Sequence, residues 1–124
     1  MTEIIPPPRR ILVVDDEPLV CDAVKMLLAF DGHSVQTATN AADALTLFGR
    51  EKFDLVMPGM RGDQLAAAIK ARDPKQPVVM ITAHAEMLPG GPSPPEGVDV
   101  LISKPFLLQH LRDAITKTLP SAQP

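Results

Sequence analysis

Short runs that are apolar at every position alternate along most of the chain with stretches whose apolar residues recur at helical spacing. That alternation narrows the fold to one class. Ile11-Leu12-Val13-Val14 has no polar face, which suits a strand buried on both sides in a parallel sheet. Pro18 then stands where a first helical turn would begin, with Val20, Val24, Leu27 and Leu28 on one face and Gly32 as a stop. His33 to Ala38 reads as a weaker strand, followed by Asn40 as the N-cap of a helix carrying Ala41, Ala44, Leu45 and Phe48. Phe53 to Met57 is the third strand, and Gly62 or Asp63 opens a helix with Leu65, Ala68 and Ile69 that Pro74 closes. Val78 to Ile81 and Val98 to Ile102 complete the strands, and Phe106 to Leu119 forms the last helix with Leu108, Leu111 and Ile115 inward. The expectation is an α/β, doubly wound, five-stranded parallel sheet with helices on both faces. Pro89 to Pro95 contains only Pro, Gly and Ser, cannot sustain a helix, and is expected to be an irregular loop.

A chain of 124 residues holds one core. Proline marks both tails, so residues 1–8 are expected to be a tail or linker, 9–120 the folded domain and 121–124 a second tail. Twelve basic residues against fifteen acidic ones give a net charge of -3, without the basic excess of a phosphate-backbone binder, and direct nucleic-acid binding is not expected. The aromatics are four Phe, which offers little for base stacking. Cys21 has no internal disulfide partner, and no apolar run reaches a membrane span, so a soluble, cytoplasmic chain without membrane contact is expected.

In open parallel sheets, ligands bind where the carboxyl ends of the strands converge. There the first strand offers Asp15, Asp16 and Glu17, whose mutual repulsion a hard cation would relieve, although for such a triplet taken alone turn and N-cap roles are the simpler account. The fourth strand ends in Thr82, which could contact a phosphoryl oxygen or merely terminate the strand. Beyond the fifth stands Lys104, a point charge for an anion or an ordinary solvated lysine.

Together, Ile11-Leu-Val-Val-Asp-Asp-Glu-Pro18, Met57-Pro-Gly-Met-Arg-Gly62, Val79-Met-Ile-Thr-Ala83 and Ser103-Lys-Pro-Phe106 resemble, in order, the signature segments of response-regulator receiver domains. The resemblance covers nearly the whole folded chain and implies a flavodoxin-like fold and a part in a two-component phosphorelay. It implies that Asp15 and Asp16 hold Mg2+, that Thr82 bonds a phosphoryl oxygen and that Lys104 pairs with the phosphoryl group. The implied partners are a histidine kinase or phosphotransfer protein, with a linked kinase or output domain also compatible. Such a domain accepts a phosphoryl group and switches a partner; it is not expected to be an enzyme.

The departures matter as much. The family reads Asp-Leu-Val-x-x-Asp-x-x-Met-Pro-Gly-Met, with the second aspartate as acceptor, whereas this chain runs Asp54-Leu55-Val56-Met57-Pro58-Gly59-Met60, five residues shorter. No phospho-acceptor is therefore expected, and Asp54 lies about 16 Å of extended chain away from the place it would have to fill. Pro58 and Gly59 instead fall where the last strand residue and the acceptor would be, and Mg2+ binding is expected to be weak. The shortening fits either a phosphorylation-independent receiver used as an interaction module or five residues dropped by variation or handling of the gene. The proline-rich segment replaces the family's fourth helix, and Leu101 stands where many members carry a switch aromatic. A haloacid-dehalogenase-like phosphatase is a remote alternative, with Glu17 where its second aspartate is needed; a flavodoxin-like cofactor binder lacks its phosphate loop here.

Overall fold

The computed structural model describes residues 8–59, 63–82, 98–103 and 108–118. In chain order these form β1 (Arg10–Val14), α1 (Pro18–Phe30), β2 (Ser34–Ala38), α2 (Ala41–Arg50), β3 (Leu55–Pro58), α3 (Asp63–Arg72), β4 (Val79–Thr82), β5 (Val100–Ser103) and α4 (Leu108–Thr118). Every strand pairing is parallel. β2, β1 and β3 make one ladder with β1 central, β4 and β5 make a second, and the bridge Val56↔Val78 joins them into the order β2-β1-β3-β4-β5. The expected α/β architecture is therefore present.

The sequence explains why the β3–β4 seam is a single bridge. Val56 N–H donates to Pro77 O on the β4 side, while Gly59 N–H donates to Val14 O on the β1 side. Alternate residues of a strand face opposite neighbours, so residue 58 is the next that should donate toward β4. It is proline and has no N–H. On its other edge β3 keeps full register with β1, from Ile11↔Leu55 to Val14↔Pro58.

Alternation along β1 divides the core in two. Ile11 and Val13 point to one face, where Cys21, Val24 and Leu28 of α1 pack with Leu111, Ala114 and Ile115 of α4. Leu12 and Val14 point to the other, against Ala44 of α2 and Leu65, Ala66 and Ile69 of α3. Ala66, rather than the expected Ala68, is fully buried. Each layer closes because its helices turn an apolar stripe toward the sheet.

Local signals act at the predicted points. Asn40 caps α2 by accepting Asp43 N–H at 2.8 Å. Gly32 ends the α1 turn at φ 90°, a conformation that costs glycine little. The third strand starts at Leu55, later than the Phe53 expected, because Asp54 is engaged at the amino end of β1: its N–H donates to Arg10 O and its carboxylate accepts Arg10 N–H at 2.8 Å. Phe53 is nevertheless buried, in the α2/α3 layer. Lys104 and the segment Pro89 to Pro95 lie outside the described residues, as does the side chain of Thr82.

Candidate functional site at the carboxyl end of the sheet

Strand order reverses between β2-β1 and β3, so the crevice of such a sheet opens beyond the ends of β1 and β3. Asp15 stands at the end of β1 and is 4% exposed. Its Oδ1 accepts Glu17 N–H at 2.9 Å, which fixes the turn into α1, and its backbone N–H donates to Ala38 O. Glu17 is the N-cap of α1 but makes no side-chain capping bond, and Pro18 follows at the start of the helix. The turn role considered for this triplet therefore belongs to Asp15. Asp16 and Glu17 are exposed.

One carboxylate oxygen from each of Asp15, Asp16 and Glu17 can be chosen so that all lie within 4.8 Å of one another. Hard divalent ions take oxygen ligands, and the set includes Glu17, which the sequence reading left out of the metal pair. Beneath it, the Cys21 thiol donates to Asp15 O at 3.4 Å. Burial pushes that thiol above its ordinary pKa, and the neighbouring Asp15, Asp22 and Asp16 charges add to the rise against the bond to Asp15 O. Cys21 is thus a protonated spacer under the acidic turn.

Across the crevice stands Gly59, directly after β3. Its N–H donates to Val14 O at 2.6 Å. A Cβ placed there would overlap Asp15 Oδ2 and come within 2.9 Å of Asp15 Cγ and Val14 O. The absence of a side chain is what lets β3 end this close to Asp15. Gly59→Ala is expected to destabilise the fold by about 1–3 kcal/mol, because one of the crowded atoms is backbone and cannot turn aside. Urea unfolding checks this, and an unchanged midpoint would contradict the close approach.

Of the predicted site residues, Asp15 and Asp16 meet at one carboxyl end, and the backbone of Thr82 ends β4 on the same side of the sheet. Asp54 is removed to the opposite end by its bonds to Arg10. The sequence profile of the response regulator receiver domain matches residues 11–116. The chain belongs to that family.

Relatives of this receiver include the transcriptional regulatory protein GlrR of Escherichia coli K12, 33% identical over 123 residues, covering 92% of the chain and 28% of GlrR. Response regulator MprA of Mycobacterium sp. strain KMS is 29% identical over 126 residues, covering 94% of the chain and 55% of MprA. The receiver therefore spans only part of these relatives. The solved response regulator TrrA of Thermotoga maritima, in complex with Mg2+-BeF, superposes with TM-score 0.78 at 28% identity over 90% of this chain and 99% of that one.

Two features of the receiver went unread in its sequence. Leu19, Met26 and Phe30 stand on the outer side of α1 with exposures of 82%, 72% and 76%. At the other end of the sheet a buried polar cluster joins Asp31 of the α1 C-cap, His33 and Arg112 of α4. The Arg112 guanidinium grips Asp31 through two bonds of 2.8 Å. Among the described residues, no helix is long and apolar enough to cross a membrane.

Proposed function

We propose that this receiver works in two-component signalling as a protein-recognition module that does not itself take up a phosphoryl group. The supporting observation is the register of β3. Leu55 to Pro58 pair with β1 without a break, so Gly59 falls opposite the acidic turn, where the resemblance puts the acceptor aspartate. Loss of five residues has drawn Met57-Pro58-Gly59 into the strand end and left no carboxylate there. Thr82 and Lys104 keep their proposed roles as anion contacts, yet anion binding without an in-line nucleophile gives no transfer.

Asp15 and Asp16, with Glu17, are the residues that would hold Mg2+, whose part would be to neutralise phosphoryl charge. The fit is loose. Mg2+ requires near-octahedral oxygen ligation, Asp15 is buried, and Gly59 adds no side-chain oxygen. The partner proposed is a histidine kinase or phosphotransfer protein. The apolar row Leu19, Met26 and Phe30 begins beside the acidic turn and gives such a protein a surface independent of phosphorylation. A net charge of -3 supports a protein partner over nucleic acid, and the cytoplasm is the proposed compartment.

Calorimetry with Mg2+, alone and with beryllofluoride as phosphoryl mimic, tests the reading. Weak Mg2+ binding and no added heat with beryllofluoride are expected. Tight Mg2+ binding abolished by Asp16→Asn, or a beryllofluoride adduct, would overturn it.

A further inference from the structure

His33 lies between α1 and β2, at the end of the sheet away from Asp15, and is 5% exposed. Its Nδ1 accepts the backbone N–H of Arg9 at 2.9 Å. An accepting Nδ1 fixes the neutral tautomer with its proton on Nε2. That Nε2 is buried and has no hydrogen-bond partner among the described residues. Two neighbouring contacts belong to the same attachment. Ser34 N–H donates to Arg9 O at 2.9 Å, and Pro8 lies beside Gly32, its Cγ 4.0 Å from where a Gly32 Cβ would be.

Charged groups approach the ring from three elements. Asp31 at the end of α1 favours a charged imidazole, but its carboxylate is committed to Arg112 of α4 by two bonds of 2.8 Å. Arg9, ahead of β1, opposes that charge. Burial is the largest influence, and it pushes the imidazole below its ordinary pKa.

We infer that His33 is a proton-operated latch on the segment that leads into β1, holding Pro8 and Arg9 against the α1–β2 turn when neutral and releasing them when protonated. The second proton can go only to Nδ1, where an N–H would face the Arg9 N–H, donor against donor. With so little solvent to take over either donor, the ring must turn away or Arg9 must leave. Release stops one residue later, because Arg10 is already paired in the ladder with Ser34. A run of three prolines, Pro6-Pro7-Pro8, stands directly upstream.

Amide exchange followed by NMR tests the latch on the intact chain. Neutral imidazole favours the closed form, so closure is fully supported above about pH 6.5 and is lost as the pH falls from there through the lowered value of the closed state. Between pH 7.5 and pH 5.5 the protection factor of the Arg9 amide should fall, by up to about tenfold, relative to that of Leu12. His33→Asn keeps a carbonyl oxygen able to accept from Arg9 but cannot titrate, and its Arg9 protection should be the same at both pH values. Equal protection of Arg9 at both pH values in the natural chain, or an equal loss in the Asn variant, would overturn the latch. The His33 ring-nitrogen shifts give a second readout that needs no variant: the ring should titrate below pH 6.5, within the range over which Arg9 protection falls, and a ring titration outside that range would also overturn it.

Discussion

Asp31→Ala is expected to cost the domain about 3–5 kcal/mol, a large share of the roughly 5–15 kcal/mol that holds an ordinary domain together. The Asp31 and Arg112 side chains are 1% and 9% exposed, and both guanidinium bonds are 2.8 Å long. Removing the carboxylate takes two charge-assisted bonds from a guanidinium in a place water barely reaches. Much of the loss therefore comes from that desolvated charge rather than from the pair's own attraction. Replacing both residues together, Asp31→Leu with Arg112→Met, should recover most of the stability. The Lys70–Asp99 pair has the same charges 3.0 Å apart, but its side chains are 21% and 43% exposed, and Lys70→Ala should cost under about 1 kcal/mol. Urea midpoints at constant slope measure all three. A loss below about 1 kcal/mol for Asp31→Ala would mean that the pair is not held in the buried geometry.

The sheet was legible because its strands announce themselves locally. Ile11 to Val14 has no polar face and is flanked by strands on both sides; Ser34 to Ala38 alternates and is an edge. Asn40 and Gly32 act where their chemistry suggests. The acidic turn was legible for the same reason, as neighbouring residues at a strand end. Contacts between distant residues were not. Asp31 and Arg112 are 81 positions apart, and nothing in an apolar stripe of Leu108, Leu111 and Ile115 says that an arginine beside it turns inward to a carboxylate on another helix. The outward row Leu19, Met26 and Phe30 was passed over because α1 already had an apolar face for the core. The start of β3 moved from Phe53 to Leu55 because Asp54 bonds to Arg10 across the strand ends, a pairing that periodicity does not encode. Pro58 illustrates the limit well. Its tolerance depends on which neighbour its missing donor would have faced, and only the register decides that.

Incubated with Mg2+ and acetyl phosphate, the natural chain should gain no phosphoryl mass. Transfer to a receiver requires an oxygen nucleophile in line with the phosphorus, and the residue that follows β3 opposite Asp15 is glycine. Asp54 cannot substitute, since its carboxylate accepts Arg10 N–H at the far end of β1. The converse variant is more demanding. Inserting five residues between Val56 and Met57, with aspartate third among them, places a carboxylate in the strand register now held by Gly59 and returns Met57-Pro58-Gly59 to the loop beyond. That variant should label. Intact-mass spectrometry after exposure to acetyl phosphate measures both chains in one experiment. The account predicts an unchanged mass for the natural chain and one added phosphoryl group on the insertion variant; a stable phosphoryl adduct on the natural chain would contradict it.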